Sequence, residues 1–453
     1  MACGRPVLVV FLMMVVAGSA IGVDPPIAER GAAPPLPLTV TVAPAKPPMV
    51  ELPPLILPGP FENSGMPGGV GVSQPLQPVL TVEQPVHAIY PLPGIEVESA
   101  LPHSWIGGEY LVWWPKSHPL PPLLTSARGG SVPRLGGPNT ITLIGGRSAE
   151  SESTAGGRFT HGFRLNEAGT TAVSVTYFFL NAQNRTLFAQ DGDHAGRTLG
   201  RPIVNAATGF EDAVPVAVPG EQRGTFSATT STRINGWEVT GLVNLVAGPQ
   251  ARVHALAGYR YFQLNEGLRL EQYALLQAGG NRTAFTAGYA DQIDAQNSFH
   301  GGQIGFQADV VHGSMFLEVS GKLGIGQVQA TVRVAGQSTT AEPGMSAMVR
   351  PIGVLAQPSN STRIVNSAFA VLPEGWLKVG YRFTSDSRLY IGYNFLYLSE
   401  VVRPGEQLDR TIDPAAVPGI GNTPGLPSER PGVLLNRTDF YLQGLILGFE
   451  LRY

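Results

Sequence analysis

The chain closes on Asp439-Phe-Tyr-Leu-Gln-Gly-Leu-Ile-Leu-Gly-Phe-Glu-Leu-Arg-Tyr453. Counting back in twos from Tyr453 gives Leu451, Phe449, Leu447, Leu445, Gln443 and Tyr441. The other parity gives Arg452, Glu450, Gly448, Ile446, Gly444 and Leu442. One face is apolar and aromatic, and the other carries glycines and charge. An amphipathic strand ending in an aromatic residue reads as the closing strand of an outer-membrane barrel. A soluble sandwich can also end in such a strand, so the remaining chain has to repeat the pattern.

It does so from residue 105 onward. In 171–180 the apolar parity is Val173, Val175, Tyr177, Phe179, and in 251–262 it is Val253, Ala255, Ala257, Tyr259, Tyr261. In 315–326 it is Met315, Leu317, Val319, Leu323, Ile325, and in 387–398 it is Leu389, Ile391, Tyr393, Phe395, Tyr397. Segments 105–114, 157–166, 235–246, 299–310, 374–384 and 439–453 behave alike. Period two is the strand signature. Segments of about 10–12 residues match the roughly 9–11 that a tilted strand needs to cross a bilayer, whereas soluble strands peak near 5–6.

The connections alternate. Short turns sit at Asn166–Thr170, Ala247–Gln250, Val311–Ser314 and Thr384–Ser387, and long loops are expected at 115–156, 181–234, 263–298, 327–373 and 399–437. Short periplasmic turns and long external loops are the habit of outer-membrane barrels. The expectation is an all-β, antiparallel, up-and-down transmembrane barrel of about ten strands, with twelve as the alternative count.

The chain has 453 residues, a net charge of -3 and 14% charged residues, so no basic excess points to nucleic acid. Residues 1–22 read as a secretory signal, with Arg5, an apolar run from Val7 to Ala17, and Gly18-Ser-Ala20 as a cleavage site. The one cysteine, Cys3, precedes that run, so no disulfide, thiolate metal site or cysteine nucleophile is expected in the mature chain. Residues 23–104 are dense in proline and read as a disordered periplasmic tail. The expected organisation is signal 1–22, tail 23–104 and barrel 105–453.

The parity opposite the apolar one should line the lumen. It holds Arg158, Arg164, Glu238, Arg252, His254, Arg260, Asp309, Glu318, Lys322, Lys378 and Arg382. Charges in a barrel must pair or be hydrated. About ten strands lies nearer the filled barrel of eight than the open channel of sixteen, so a salt-bridged plug is expected. Any residual pore would favour anions, since the cations counted outnumber Glu238, Asp309 and Glu318. Trp114, Trp237, Tyr261, Phe383, Tyr397, Tyr441 and Tyr453 fall near strand ends on the apolar parity, where headgroup girdles belong.

Catalytic and nucleotide motifs are missing from the sequence. Asp191-Gly-Asp193 reads as a solvated turn, and His254 beside Glu238 and Asp309 as a lumen histidine rather than a catalytic pair. No enzymatic chemistry, cofactor or metal is expected. The expected role is passive transport or envelope structure. The alternatives are an outer-membrane enzyme barrel of protease or lipase type, for which His194 and His300 are the loop-side histidines to check, and an exported soluble sandwich adhesin. The expected partners are outer-membrane lipid, the barrel-assembly machinery through the strand ending in Tyr453, and a periplasmic partner of the proline-rich tail.

Several stretches carry a resemblance: Trp105 to Thr125, Leu256 to Leu268, Asn297 to Asp309, Val371 to Arg410 and the terminal segment. In order and spacing they resemble the planctomycete-type beta-barrel porin family 7. The resemblance covers 105–453 and implies an outer-membrane barrel. It supplies no catalytic residues. It suggests structural roles for a Trp113-Trp114 belt and for Arg403-Pro404 at a loop start.

Overall fold

A computed structural model describes residues 103–147, 152–191, 196–277, 284–420 and 429–453. The signal segment, nearly all of the tail, Asp193 and His194 lie outside the described residues. In chain order the strands are β1 (Ser104–Pro115), β2 (Leu124–Arg128), β3 (Thr140–Ile144), β4 (Thr154–Arg164), β5 (Thr171–Asp191), β6 (Arg197–Asn205), β7 (Glu211–Ala217) and β8 (Gln222–Ala247). They continue with β9 (Ala251–Leu276), β10 (Phe285–His312), β11 (Met315–Ala341), β12 (Met348–Arg350), β13 (Arg363–Arg382), β14 (Ser387–Val402), β15 (Thr411–Ile412) and β16 (Arg437–Arg452).

Ten of these close a ring in the order β1-β4-β5-β8-β9-β10-β11-β13-β14-β16, with β16 returning to β1. Every pair in the ring is antiparallel, and closure runs through Tyr110↔Leu447 and its neighbours. The count is ten, not twelve. The closing strand uses Gly444 and Gly448 to admit rings into the wall: a Cβ at Gly444 would strike Trp113, and one at Gly448 would strike Tyr390.

The long loops are a different matter. β10 has 28 residues and β11 has 27, far more than a bilayer requires. Most of 181–191, 222–234, 263–276, 285–298 and 327–341 is paired strand, not loop. These extensions exchange their faces. In β9 the exposed Tyr259 points out, but Phe262, Leu264, Leu268 and Leu270 are buried on the opposite parity. β8 buries Phe226, Ala228 and Ile234 and turns Thr225, Ser227, Thr229 and Arg233 outward, whereas lower down Trp237 and Val239 are the exposed pair. In β11 the switch falls between Ile325, which is exposed, and Val328, which is buried. Lipid demands an apolar exterior. Above the bilayer water demands a polar one, so the apolar residues move to the inward parity.

Two apolar cores result. One fills the barrel bore with Trp113, Phe178, Phe262, Phe299, Val328, Leu372, Leu396 and Phe440, among others. The second joins the inner faces of the β8–β10 extensions to a small sheet of β15, β6, β2 and β3, with β7 beside β6. That sheet caps the long-loop end. A register shift between Leu398 and Val401, with Glu400 at φ 61, turns the end of β14 inward. The chain after it then packs against β9 and β10 inside the barrel.

Candidate functional site: the barrel lumen

Alternation fixes which side chains enter the bore. Glu109 on β1, Arg158 on β4, Glu238 on β8, Arg260 on β9, Glu318 and Lys322 on β11, Glu374, Trp376 and Lys378 on β13, and Arg388 and Tyr390 on β14 all line one cavity. All eleven lumen residues expected from the sequence line it. The structure also brings in Glu109, Glu374, Arg388 and Glu450, which the sequence reading did not assign to the lumen. Parity could have found each of them, since each lies on the inward parity of its strand.

The charges form one alternating chain. Lys322 meets Glu238, which faces Arg260 at 3.7 Å. Arg260 binds Glu374 at 2.6 Å, and Glu374 also takes Arg158 at 3.3 Å. Arg158 donates to Glu109 at 3.0 Å, and Glu109 accepts from Lys378 at 2.9 Å. Lys378 reaches Glu318 at 3.3 Å, Glu318 accepts from Arg388 at 3.2 Å, and Arg388 binds Glu450 at 2.8 Å. Asp309 lies 3.4 Å from Arg388. The Trp376 indole N–H donates to Glu318 at 2.8 Å, and its ring lies under Lys322 and Lys378. The Tyr390 hydroxyl donates to Glu109 at 2.9 Å. Each of these charges is met by an opposite one, and hydrogen bonds from Trp376, Tyr390 and Asn394 satisfy further carboxylate oxygens.

The expected cation excess is therefore corrected at the constriction, because the missed acids balance it. The proposed proximity of His254 to Glu238 also fails. Glu238 pairs with Arg260 across β8 and β9, and His254 pairs with Asn244. Six residues along a strand is roughly 20 Å. His300 is no loop residue. It stands outward on β10, its Nδ1 2.8 Å from the Tyr259 hydroxyl and its ring 4.9 Å from that of Tyr261.

The cavity has a volume of about 830 Å³. The turn residues in its lining, among them Gly169, Thr170, Gly248, Gln250, Ser385 and Asp386, all belong to the short-turn end. None belongs to the long-loop end. There the apolar core and the chain after β14 fill the bore. Asn297 donates from Nδ2 to the Val402 carbonyl and accepts from the Val402 N–H, both at 2.8 Å. Arg403 is fully buried against Glu266 at 2.6 Å and also donates to the Ser117 carbonyl at 2.6 Å. Glu266 lies in the extension beyond the bilayer. Burial raises its pKa, but Arg403 and then His118 more than offset that and hold it below the usual carboxylate range. Burial pushes the His118 imidazole below its ordinary value, and the opposing pull of Glu266 does not restore it.

Most of the expected girdle residues lie within the strands rather than at their ends, Trp237 and Tyr261 being the last outward apolar residues before the polar extensions of β8 and β9. Trp237 packs 6.1 Å from Tyr261, and Tyr441 stacks 6.3 Å from Phe395. With Trp114 and Tyr397 they sit within or near the middle of the barrel wall, because paired strand continues above them. Phe383 and Tyr453 are exposed at the short-turn end. Of the supposed tryptophan belt only Trp114 faces out. Trp113 is wholly buried in the bore, 5.7 Å from Phe178.

The sequence pattern of one family, putative beta barrel porin-7 (BBP7), matches residues 105–453. No curated protein matches the chain. Among solved structures, the Escherichia coli outer membrane protease OmpT aligns at TM-score 0.38 and 9% identity, over 78% of this chain and 97% of that one. A Pseudomonas aeruginosa FadL homologue aligns at 0.21 and 8%, over 78% and 90%. The P. putida toluene transporter TodX aligns at 0.19 and 7%, over 78% and 90%. None of these likenesses says what this chain does.

Proposed function

The chain belongs to the putative beta barrel porin-7 family, and from that premise we propose a non-enzymatic, non-conducting outer-membrane barrel with an envelope-structural role. One observation carries the reading. The bore is occupied twice along its axis, first by the chain of ion pairs from Lys322 to Glu450 and then by the apolar core around Trp113, Phe178 and Phe440. An ion crossing it would have to break matched buried charges and then enter hydrocarbon, each step costing several kcal/mol. The expected anion preference has no path to act on.

Passive transport is the second reading. It is favoured by the cavity that opens at the short-turn end, which is half of a pathway. It requires the chain after β14 to leave the bore. Among the described residues no three histidine, cysteine, aspartate or glutamate side chains gather as for a metal. The carboxylates of the lumen are held in ion pairs, which supports a structural use. Outer-membrane lipid and recognition of the strand ending in Tyr453 by the assembly machinery belong to the same proposal.

Conductance in a planar bilayer decides between the readings. The native protein is expected to give no steady steps above the bare membrane. Regular steps from heat-modifiable, folded protein would overturn the structural reading in favour of transport.

A further inference from the structure

Below the charge-matched constriction the lumen changes character. The inward positions next to the short turns carry Arg164 on β4, Arg252 and His254 on β9, Arg382 on β13 and Arg452 on β16, all lining the same cavity. Arg452 is held by Glu450 at 2.8 Å, and Arg382 donates to the Gly313 carbonyl at 2.8 Å. Arg164 and Arg252 have no ion pair among the described residues. The Nη1 of Arg164 is buried with no hydrogen-bond partner. Its charged neighbours are Arg252 and Arg452, both cations. Asp386 lines the same mouth, and Asp309 stands opposite Arg252 in the strand register but is turned to Arg388.

A fold that matches every charge in the constriction leaves like charges together a few residues lower. Such a grouping repels itself, and an anion among its members relieves the repulsion. Guanidinium forks offer paired N–H groups that fit phosphate or carboxylate oxygens. The opening runs along the barrel axis, so the ligand arrives from water rather than sideways from the bilayer. We propose that the mouth of this cavity is a binding site for a small free solute bearing phosphate or carboxylate groups, held chiefly by Arg164 and Arg252. With the short turns periplasmic, the solute comes from the periplasm. This goes beyond the structural reading and does not require a conducting pore.

The test uses the full chain purified in detergent, with inorganic phosphate and citrate as probes in calorimetry and thermal unfolding. Both probes should bind and raise the unfolding temperature. Arg252→Gln should weaken binding roughly 10- to 100-fold, the loss of one charged hydrogen-bonding partner. Arg164→Gln/Arg252→Gln should abolish it. The same double variant should unfold at a higher temperature than the native protein when no anion is present, because repulsion is relieved. That readout also shows that the variant folds. Absence of binding by either probe, binding undiminished in the folded double variant, or binding only in nanodiscs containing phosphatidylglycerol would overturn the proposal, the last by making the ligand a lipid headgroup.

Discussion

Arg403 and Glu266 lie 137 positions apart and meet fully buried inside the barrel, Nη2 to Oε1 at 2.6 Å and Nε to Oε2 at 2.9 Å. The same guanidinium donates to the carbonyls of Ser117 and Lys116 and lies 5.4 Å from the centre of the Phe440 ring. One side chain thus ties the wall strand β9 to the chain leaving β1 and to the chain leaving β14. The cap over the bore is latched there.

Arg403→Ala should cost about 3–5 kcal/mol, because it leaves the Glu266 carboxylate buried and unpaired. Arg403→Lys should recover only part of this, since an ammonium cannot copy the two-pronged contact. Denaturant unfolding in detergent checks the cost, and limited proteolysis within 403–417 locates it. Native-like stability in the alanine variant would show that the latch is incidental.

Acid should loosen the cap before the membrane wall. His118 has a depressed pKa in the folded protein, so its share of stability is present above the unfolded value of about 6.5 and falls below it. Glu266 is depressed as well, so its share is complete above about 4.3 and is lost as pH drops through its folded value. Hydrogen-exchange protection in 116–128 and 401–412, corrected for the intrinsic rate at each pH, should fall in two stages, below about pH 6.5 and again below about pH 4.3. His118→Gln should remove the first stage. Equal protection from pH 7 to pH 4 would contradict the assignment.

The inversion of faces makes outward substitutions depend on height. Val379→Arg or Leu447→Arg places a cation in lipid and should cost roughly 2–4 kcal/mol. Thr229→Arg, outward on the water-bathed extension of β8, should be nearly silent. Val328→Arg, inward on β11, should be severe, since the site is fully buried and apolar. Heat-modifiable gel mobility and urea titration separate these cases. A harmful Thr229→Arg would mean that the bilayer reaches higher than the face switch.

Opening the bore should require removing both barriers. Replacing 403–409 by a glycine-serine linker leaves the ion-pair chain in place, and conductance should stay near zero. Adding Arg158→Ser and Glu374→Ser, which cuts the chain at its 3.3 Å link, together with Trp113→Ala and Phe178→Ala, which thins the apolar core, should give measurable steps. Steps from the linker variant alone would show that the paired charges do not obstruct.

The sequence by itself determined the barrel, a count of about ten strands and eleven of the lumen residues. These depend on local rules. Side chains alternate with period two, lipid selects the apolar parity, and turns such as Asn166–Thr170 interrupt the alternation. That is why Arg158 and Lys378 were found without coordinates. Only the tertiary structure decided the rest. Extensions such as 263–276 were invisible as strands because their apolar residues change parity where the surroundings change from lipid to water. Where that boundary falls is a property of the whole wall, not of one segment. Glu109 and Glu374 gained their meaning from partners 49 and 216 positions from Glu109 and Glu374 respectively, both met at Arg158. Closure of the bore likewise depends on contacts more than a hundred positions apart, Asn297 with Val402 and Glu266 with Arg403. No local pattern encodes which distant chain a buried charge will meet.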